Sequence, residues 1–255
     1  MELIEIIILA VLGIFLIGVV WYLIKREKKT PVTQSAMTTK QLMYVVTLST
    51  LSIVVGFFEI PIGVTGLKFD FSEIIILLTF LVIGFKGTST VIVLRSLVRF
   101  FLPAKTGAEA EIVIKLIGEI IAVIASFLIV FSYQITKMIF RKKEQPLLIA
   151  VPTEVKEPTI LFHIINAFLS AIILTTGMTI FHILFTWPIY TSYFGGTEYM
   201  HYFITSFLKD PLVTDNLWNV FITVIVGFGL LNVVKGALSS VLFLILKPRV
   251  ENAVK

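Results

Sequence analysis

The sequence predicts an all-α integral membrane protein, and three observations carry that prediction. Of its 255 residues 57% are hydrophobic and 15% charged, where an ordinary soluble domain is about 45–50% apolar and about 25% charged. The apolar residues fall in runs of the length that one helix needs to cross a bilayer, about 20 residues. The Lys and Arg residues gather in the connections between those runs, as they do on the cytoplasmic side of membranes.

The runs lie at 3–24, 41–58, 71–85, 88–102, 111–138, 159–187 and 217–246. The first opens on Glu2 and Glu5 with no cation before it, and it is too long for the 7–15-residue core of a signal peptide, so it reads as an uncleaved anchor. Residues 1–25 are expected as an extra N-terminal transmembrane helix, 26–40 as a basic cytoplasmic linker, and 41–250 as a six-helix membrane domain. The runs 71–85 and 88–102 are short, and only Phe85-Lys86-Gly87 separates them. They predict a tight hairpin of short or tilted helices.

Fourteen of the 21 Lys and Arg residues fall on one side if every run spans, at 25–40, 86, 137–158 and 247–255. That side is cytoplasmic, with the C-terminus inside and the N-terminus outside. The opposite side takes the loops 59–70, 103–110 and 188–215. The net charge of +5 therefore reflects orientation and contact with anionic membrane lipid, and no nucleic-acid partner is expected. Zero cysteines exclude disulfides, thiolate catalysis and cysteine-ligated metals. Neither G-x-x-x-x-G-K-S/T, H-E-x-x-H nor G-x-S-x-G occurs, so the chain is not read as an enzyme and no metal or cofactor is expected.

Arg95, Arg99, Lys115 and Lys235 lie in or at the edge of apolar runs, together with Glu111, Glu119, His182 and Asn232. A charge at mid-membrane costs about 2.5–3.5 kcal/mol on insertion scales, so such residues are paired, snorkel to the interface, or serve function. Arg99 and Lys115 can snorkel outward, and Glu111 and Lys115 have the spacing of a helical ion pair. Lys235 is more than two turns from either end of its run, which leaves pairing or function. Asn232 and Lys235, three apart, share a helix face. Small residues recur at Gly118/Ala122/Ser126, Ser52/Gly56 and Gly236/Ser240, where helices can approach closely.

Five stretches, taken in order, resemble the riboflavin-specific substrate-binding subunit (S component) of energy-coupling-factor (ECF) vitamin transporters. Val45 to Ser52 followed by Phe57-Phe58-Glu59-Ile60-Pro61-Ile62 resembles that family's first helix and its "FEFPI" entry to the first loop. Leu67-Lys68-Phe69-Asp70-Phe71-Ser72-Glu73 is similar to "LKYDFSD". Thr106-Gly107-Ala108-Glu109-Ala110-Glu111 through Gly118 looks like "TGGVGELANFLIG". His182 through Tyr190 resembles a fifth helix ending in "N…PLY", and Phe228 through Gly236 is close to "FNLIKG".

The resemblance, over residues 40–250, implies the six-helix S-component bundle. It implies riboflavin, or a related vitamin, as transported ligand beneath the loop 59–70. It places Glu59, Asn232 and Lys235 at the ligand, with His182 where the family has Asn, and Asp70 and Glu111 in the matching motifs. Ile114 and Ile75 stand where the family has Asn and Pro. It implies a prokaryotic cell membrane, a transmembrane scaffold partner and two cytosolic ATPase subunits. The family's docking helix bears spaced small residues; here Val46/Thr50, Ser49, Ser52 and Gly56 correspond, and docking is expected at Ser49, Ser52 and Gly56. The loop 191–215 falls outside the resemblance and is a candidate lid. A different vitamin, or a membrane protein whose polar residues only pair internally, are the alternatives.

Overall fold

The computed structural model describes residues 37–61, 68–103, 112–140, 160–189, 204–205 and 217–254. The expected anchor 1–25, most of the linker 26–40, Glu111 and the loop 191–215 apart from 204–205 lie outside the described residues. The elements, in chain order, are α1 (Thr39–Gly56), β1 (Glu59–Pro61), β2 (Lys68–Asp70), α2 (Ser72–Phe101), α3 (Ile112–Ile139), α4 (Ile160–Phe181, running on through a π-helical turn His182–Thr186), α5 (Leu217–Val224, followed by a π-helical turn Ile225–Gly229) and α6 (Leu230–Val254). Among the described residues five helical stretches are long and apolar enough to cross a membrane: Thr39–Gly56, Ser72–Phe101, Ile112–Ile139, Ile160–Ile189 and Phe221–Ala253. This is the all-α membrane architecture that the composition predicts.

The chain divides into two compact units, Thr39–Met178 with Phe228–Lys255, and Met1–Thr38 with Thr179–Gly227. In the first, α2 explains how five stretches make six helices. Its 30 residues would reach about 45 Å if straight. Yet the Arg95 guanidinium donates to Ser72 Oγ at 2.9 Å, although 23 residues of straight helix separate ends by roughly 35 Å. The chain therefore folds back on itself. Gly84, at φ 72° and ψ −172°, makes the turn, in a region of backbone space that is essentially restricted to glycine. The expected hairpin is present as arms 72–83 and 85–101, with the reversal at Gly84 rather than at 85–87.

The first arm is buried almost throughout, from Ser72 to Gly84 with Phe80 half-buried, because α1, α3 and α6 all pack against α2. Being surrounded by protein, it carries apolar residues all round rather than one apolar stripe. Further along the bundle the Tyr133 ring of α3 meets Phe80, Phe162 and Phe243 edge-on, at centroid distances of 6.0, 6.1 and 5.0 Å. One aromatic ring thus joins α2, α4 and α6. The α4–α6 contact is closer still: a Cβ added at Gly236 would lie 2.7 Å from the Ser170 carbonyl oxygen, the close approach its small-residue spacing predicts.

The loop 59–70 contains a short antiparallel ribbon, pairing Glu59 with Asp70, Ile60 with Phe69 and Pro61 with Lys68. Three residues per strand is too little to stand alone in water, so the ribbon depends on what anchors its end at Asp70. In the second unit, the π-helical turn His182–Thr186 packs on α5, and Phe181 stacks on Phe185 at 5.2 Å.

Gly84→Ala is expected to lower stability by about 1–3 kcal/mol, because a Cβ must enter that strained region. Gly118→Ala, with nothing within 4 Å of the added carbon, should be neutral or slightly stabilising. Thermal unfolding of the purified variants in detergent checks both.

Candidate binding site

Asp70 is the residue around which the polar side chains of the first unit assemble. It closes β2 and opens α2, where its Oδ1 accepts the Ser72 backbone N–H at 3.1 Å, so it occupies a free donor at the helix start. Glu73 follows in the first turn, where the helix dipole favours an anion. The Ser72 hydroxyl lies 2.6 Å from Asp70 Oδ1 and 2.8 Å from Glu73 Oε2. With a single proton it donates to one carboxylate at a time, while accepting from Arg95.

Three cations gather around this group, Lys235 from α6 and both Arg95 and Arg99 from the returning arm of α2, and two of them pair with carboxylates. Lys235 of α6 lies 3.0 Å from Glu73 Oε1 and 3.9 Å from Asp70 Oδ1. Arg99, on the returning arm of α2, lies 3.6 Å from Asp70 Oδ2 and 3.3 Å from Glu119 of α3. Arg95, fully buried, donates to Ser126 Oγ at 2.8 Å and to the Ala122 carbonyl at 3.3 Å as well as to Ser72. Three carboxylates thus face three cations across the ribbon, both arms of α2, α3 and α6. Burial alone would raise the Asp70 pKa, but the Lys235 ammonium, the hydrogen bond from Ser72 and the Arg99 charge hold its carboxyl well below the usual range.

The structure brings together Asp70 and Lys235 of the expected site residues. Asn232, three residues before Lys235, is buried, and its Nδ2 has no protein partner among the described residues. Glu59 stands opposite Asp70 by backbone register. Glu111 is not among the described residues. His182 belongs to the second unit, buried next to the Phe181 ring.

Two expectations need correction. Ser49, Ser52 and Gly56 do not form an outward docking face: Ser52 is fully buried, Ser49 nearly so, and a Cβ at Gly56 would meet Arg99 Nη1 at 3.2 Å. Small residues there admit α2 of the same chain. The exposed side of α1 carries Met43, Val46, Thr50 and Val54. Arg99 does not merely snorkel, since it is paired with two carboxylates, and Lys115 caps the end of α2 by donating to the Leu102 carbonyl, as cations do at helix C-termini. Of the stripe 118/122/126, Ala122 and Ser126 receive Arg95, while Gly118 faces open space.

Glu73 is the residue that sequence reasoning missed. Its signal is an acid inside an apolar run, directly before three consecutive isoleucines, which in hydrocarbon demands a cation.

One solved structure, that of the S component of a bacterial ECF transporter, resembles the chain with a TM-score of 0.51 at 19% identity, over 86% of this chain and 99% of that one. The chain has the S-component fold. No protein-family profile matches it, and no curated protein does.

Removing Lys235 leaves Glu73 as a buried charge without its ammonium. Lys235→Ala is expected to cost about 3–5 kcal/mol, and the double variant Glu73→Gln/Lys235→Met to recover most of that loss. Thermal unfolding of both variants measures it.

Proposed function

We propose that the chain is the substrate-binding subunit of an ECF-type vitamin importer in a cell membrane, with riboflavin as its vitamin. The S-component fold carries this reading. It captures the vitamin from outside and hands it inward together with a transmembrane scaffold and two cytosolic ATPases, which supply the hydrolysis for which this chain has no motif.

The charge balance of the site supports a neutral ligand. Asp70, Glu73 and Glu119 are matched by Arg95, Arg99 and Lys235, so a charged vitamin would disturb a compensated set. Asn232 offers an uncharged ligand a neutral group, its Nδ2 as donor and its carbonyl as acceptor, suited to the donor–acceptor edge of an uncharged isoalloxazine. A different vitamin is the second reading, favoured by His182 where the resemblance has Asn.

Loss of a buried polar partner costs about 1–3 kcal/mol. Asn232→Ala should therefore weaken binding roughly 5- to 150-fold, read by quenching of riboflavin fluorescence on titration. Unchanged affinity would remove Asn232 from the site.

For the scaffold, Val46 and Thr50 are four apart on the exposed side of α1 and form the docking position that the burial of Ser49 and Ser52 leaves. Val46→Trp/Thr50→Trp should abolish recovery of the scaffold in a pull-down while leaving vitamin binding intact. Recovery of the full complex with this variant would exclude that face.

A further inference from the structure

Helical Ser and Thr residues of this chain commonly donate to the carbonyl four residues back, as Thr79 does to Ile75 at 2.7 Å, Thr88 to Gly84 at 2.8 Å and Thr136 to Ser132 at 3.0 Å. Such a bond is the usual way for a hydroxyl to be satisfied inside a membrane helix. Ser239 and Ser240 of α6 do otherwise. Both are fully buried, and neither hydroxyl has a protein partner among the described residues. Asn166 of α4 is also fully buried, and the same holds for both its Oδ1 and its Nδ2.

Contacts on either side place these residues at one level of the first unit. Gly236 sits against the Ser170 backbone. Further along, a single cleft is lined by His163, Ile164 and Ala167 together with Val241, Leu244 and Ile245. As α6 numbers rise α4 numbers fall, so the two helices run antiparallel. Asn166 precedes Ser170 by four and Ser240 follows Gly236 by four, so the two lie one turn further along the antiparallel pair, Asn166 below Ser170, whose hydroxyl bonds Ser132 of α3 at 2.6 Å. The register sets Asn166 opposite Ser240, with Ser239 next to it. Tyr133, against Phe162 and Phe243, lies on the far side of this level, and the Gly236–Ser170 contact lies on the side towards Asn232.

Four buried polar atoms thus lie at one level of α4 and α6, with no protein partner among the described residues. Leaving them unsatisfied would cost an appreciable share of the stability of a whole domain. Buried waters typically make about three hydrogen bonds to groups of this kind, and here the amide supplies donor and acceptor while the hydroxyls supply both. We propose that Asn166, Ser239 and Ser240 hold buried water, an internal hydration site that bridges α4 to α6 beyond the Gly236–Ser170 contact, apart from the Lys235 cluster.

Water-edited solid-state NMR of the full chain in lipid bilayers, with asparagine side chains labelled with nitrogen-15, tests this directly. Magnetisation from water should reach the Asn166 Nδ2 group, a resonance identified by its loss in Asn166→Leu, as quickly as it reaches exposed amides. In thermal unfolding, Asn166→Leu should lower Tm by several degrees, and Asn166→Leu/Ser239→Ala/Ser240→Ala, which removes the polar atoms from both helices, should return most of that loss. A wild-type Asn166 amide that receives no magnetisation from water overturns the proposal, and so does an Asn166→Leu variant more stable than wild type, the result of deleting a dry amide. If Asn166→Leu does not fold, the wild-type spectrum, with the resonance assigned through Asn166→Gln, decides alone.

Discussion

The first unit depends on the rule that a charge taken out of water must bring its counter-charge with it. Glu73 is nearly inaccessible, and Lys235 reaches it at 3.0 Å from a helix more than 150 residues later in the chain. Arg99 joins Asp70 to Glu119, and Arg95 ties Ser72 to Ser126. No two of these partners need be neighbours in sequence. Together they draw the ribbon, both arms of the α2 hairpin, α3 and α6 to one point, which apolar packing in lipid, with its weak preference for any one arrangement, does not do alone. Gly84 makes the arrangement possible by turning α2 back so that residues 72 and 95 meet.

That internal pairing also shapes what the site can recognise. The ion pairs of Arg99 and Lys235 with Asp70, Glu73 and Glu119 hold the frame, while the Asn232 Nδ2 has no protein partner among the described residues. Asp70 links the two roles. It finishes the ribbon, starts α2 and contacts Arg99 and Lys235, so the ribbon is fastened to α2 and α6.

Much of this is legible in the residues themselves. Apolar runs and loop cations suffice for six helices and the α2 hairpin, because length and hydropathy respond to lipid directly. Lys235, too far from either helix end to snorkel, is recognisable as a central residue for the same reason. Its partner Glu73 is not, because an acid in a first turn looks like an ordinary response to the helix dipole. Ser49, Ser52 and Gly56 mislead in a different way: small residues announce a close approach without saying to whom, and here the neighbour is α2 of the same chain. Which side chain Arg99 pairs with depends on the reversal at Gly84, a single backbone angle that composition does not register.

Native mass spectrometry of the purified full chain, released from detergent after incubation with an equimolar mixture of B vitamins, tests the central claim most directly. The account predicts one adduct of one riboflavin per chain, retained in preference to the charged vitamins. No adduct with any vitamin, or selective retention of a charged one, would contradict it.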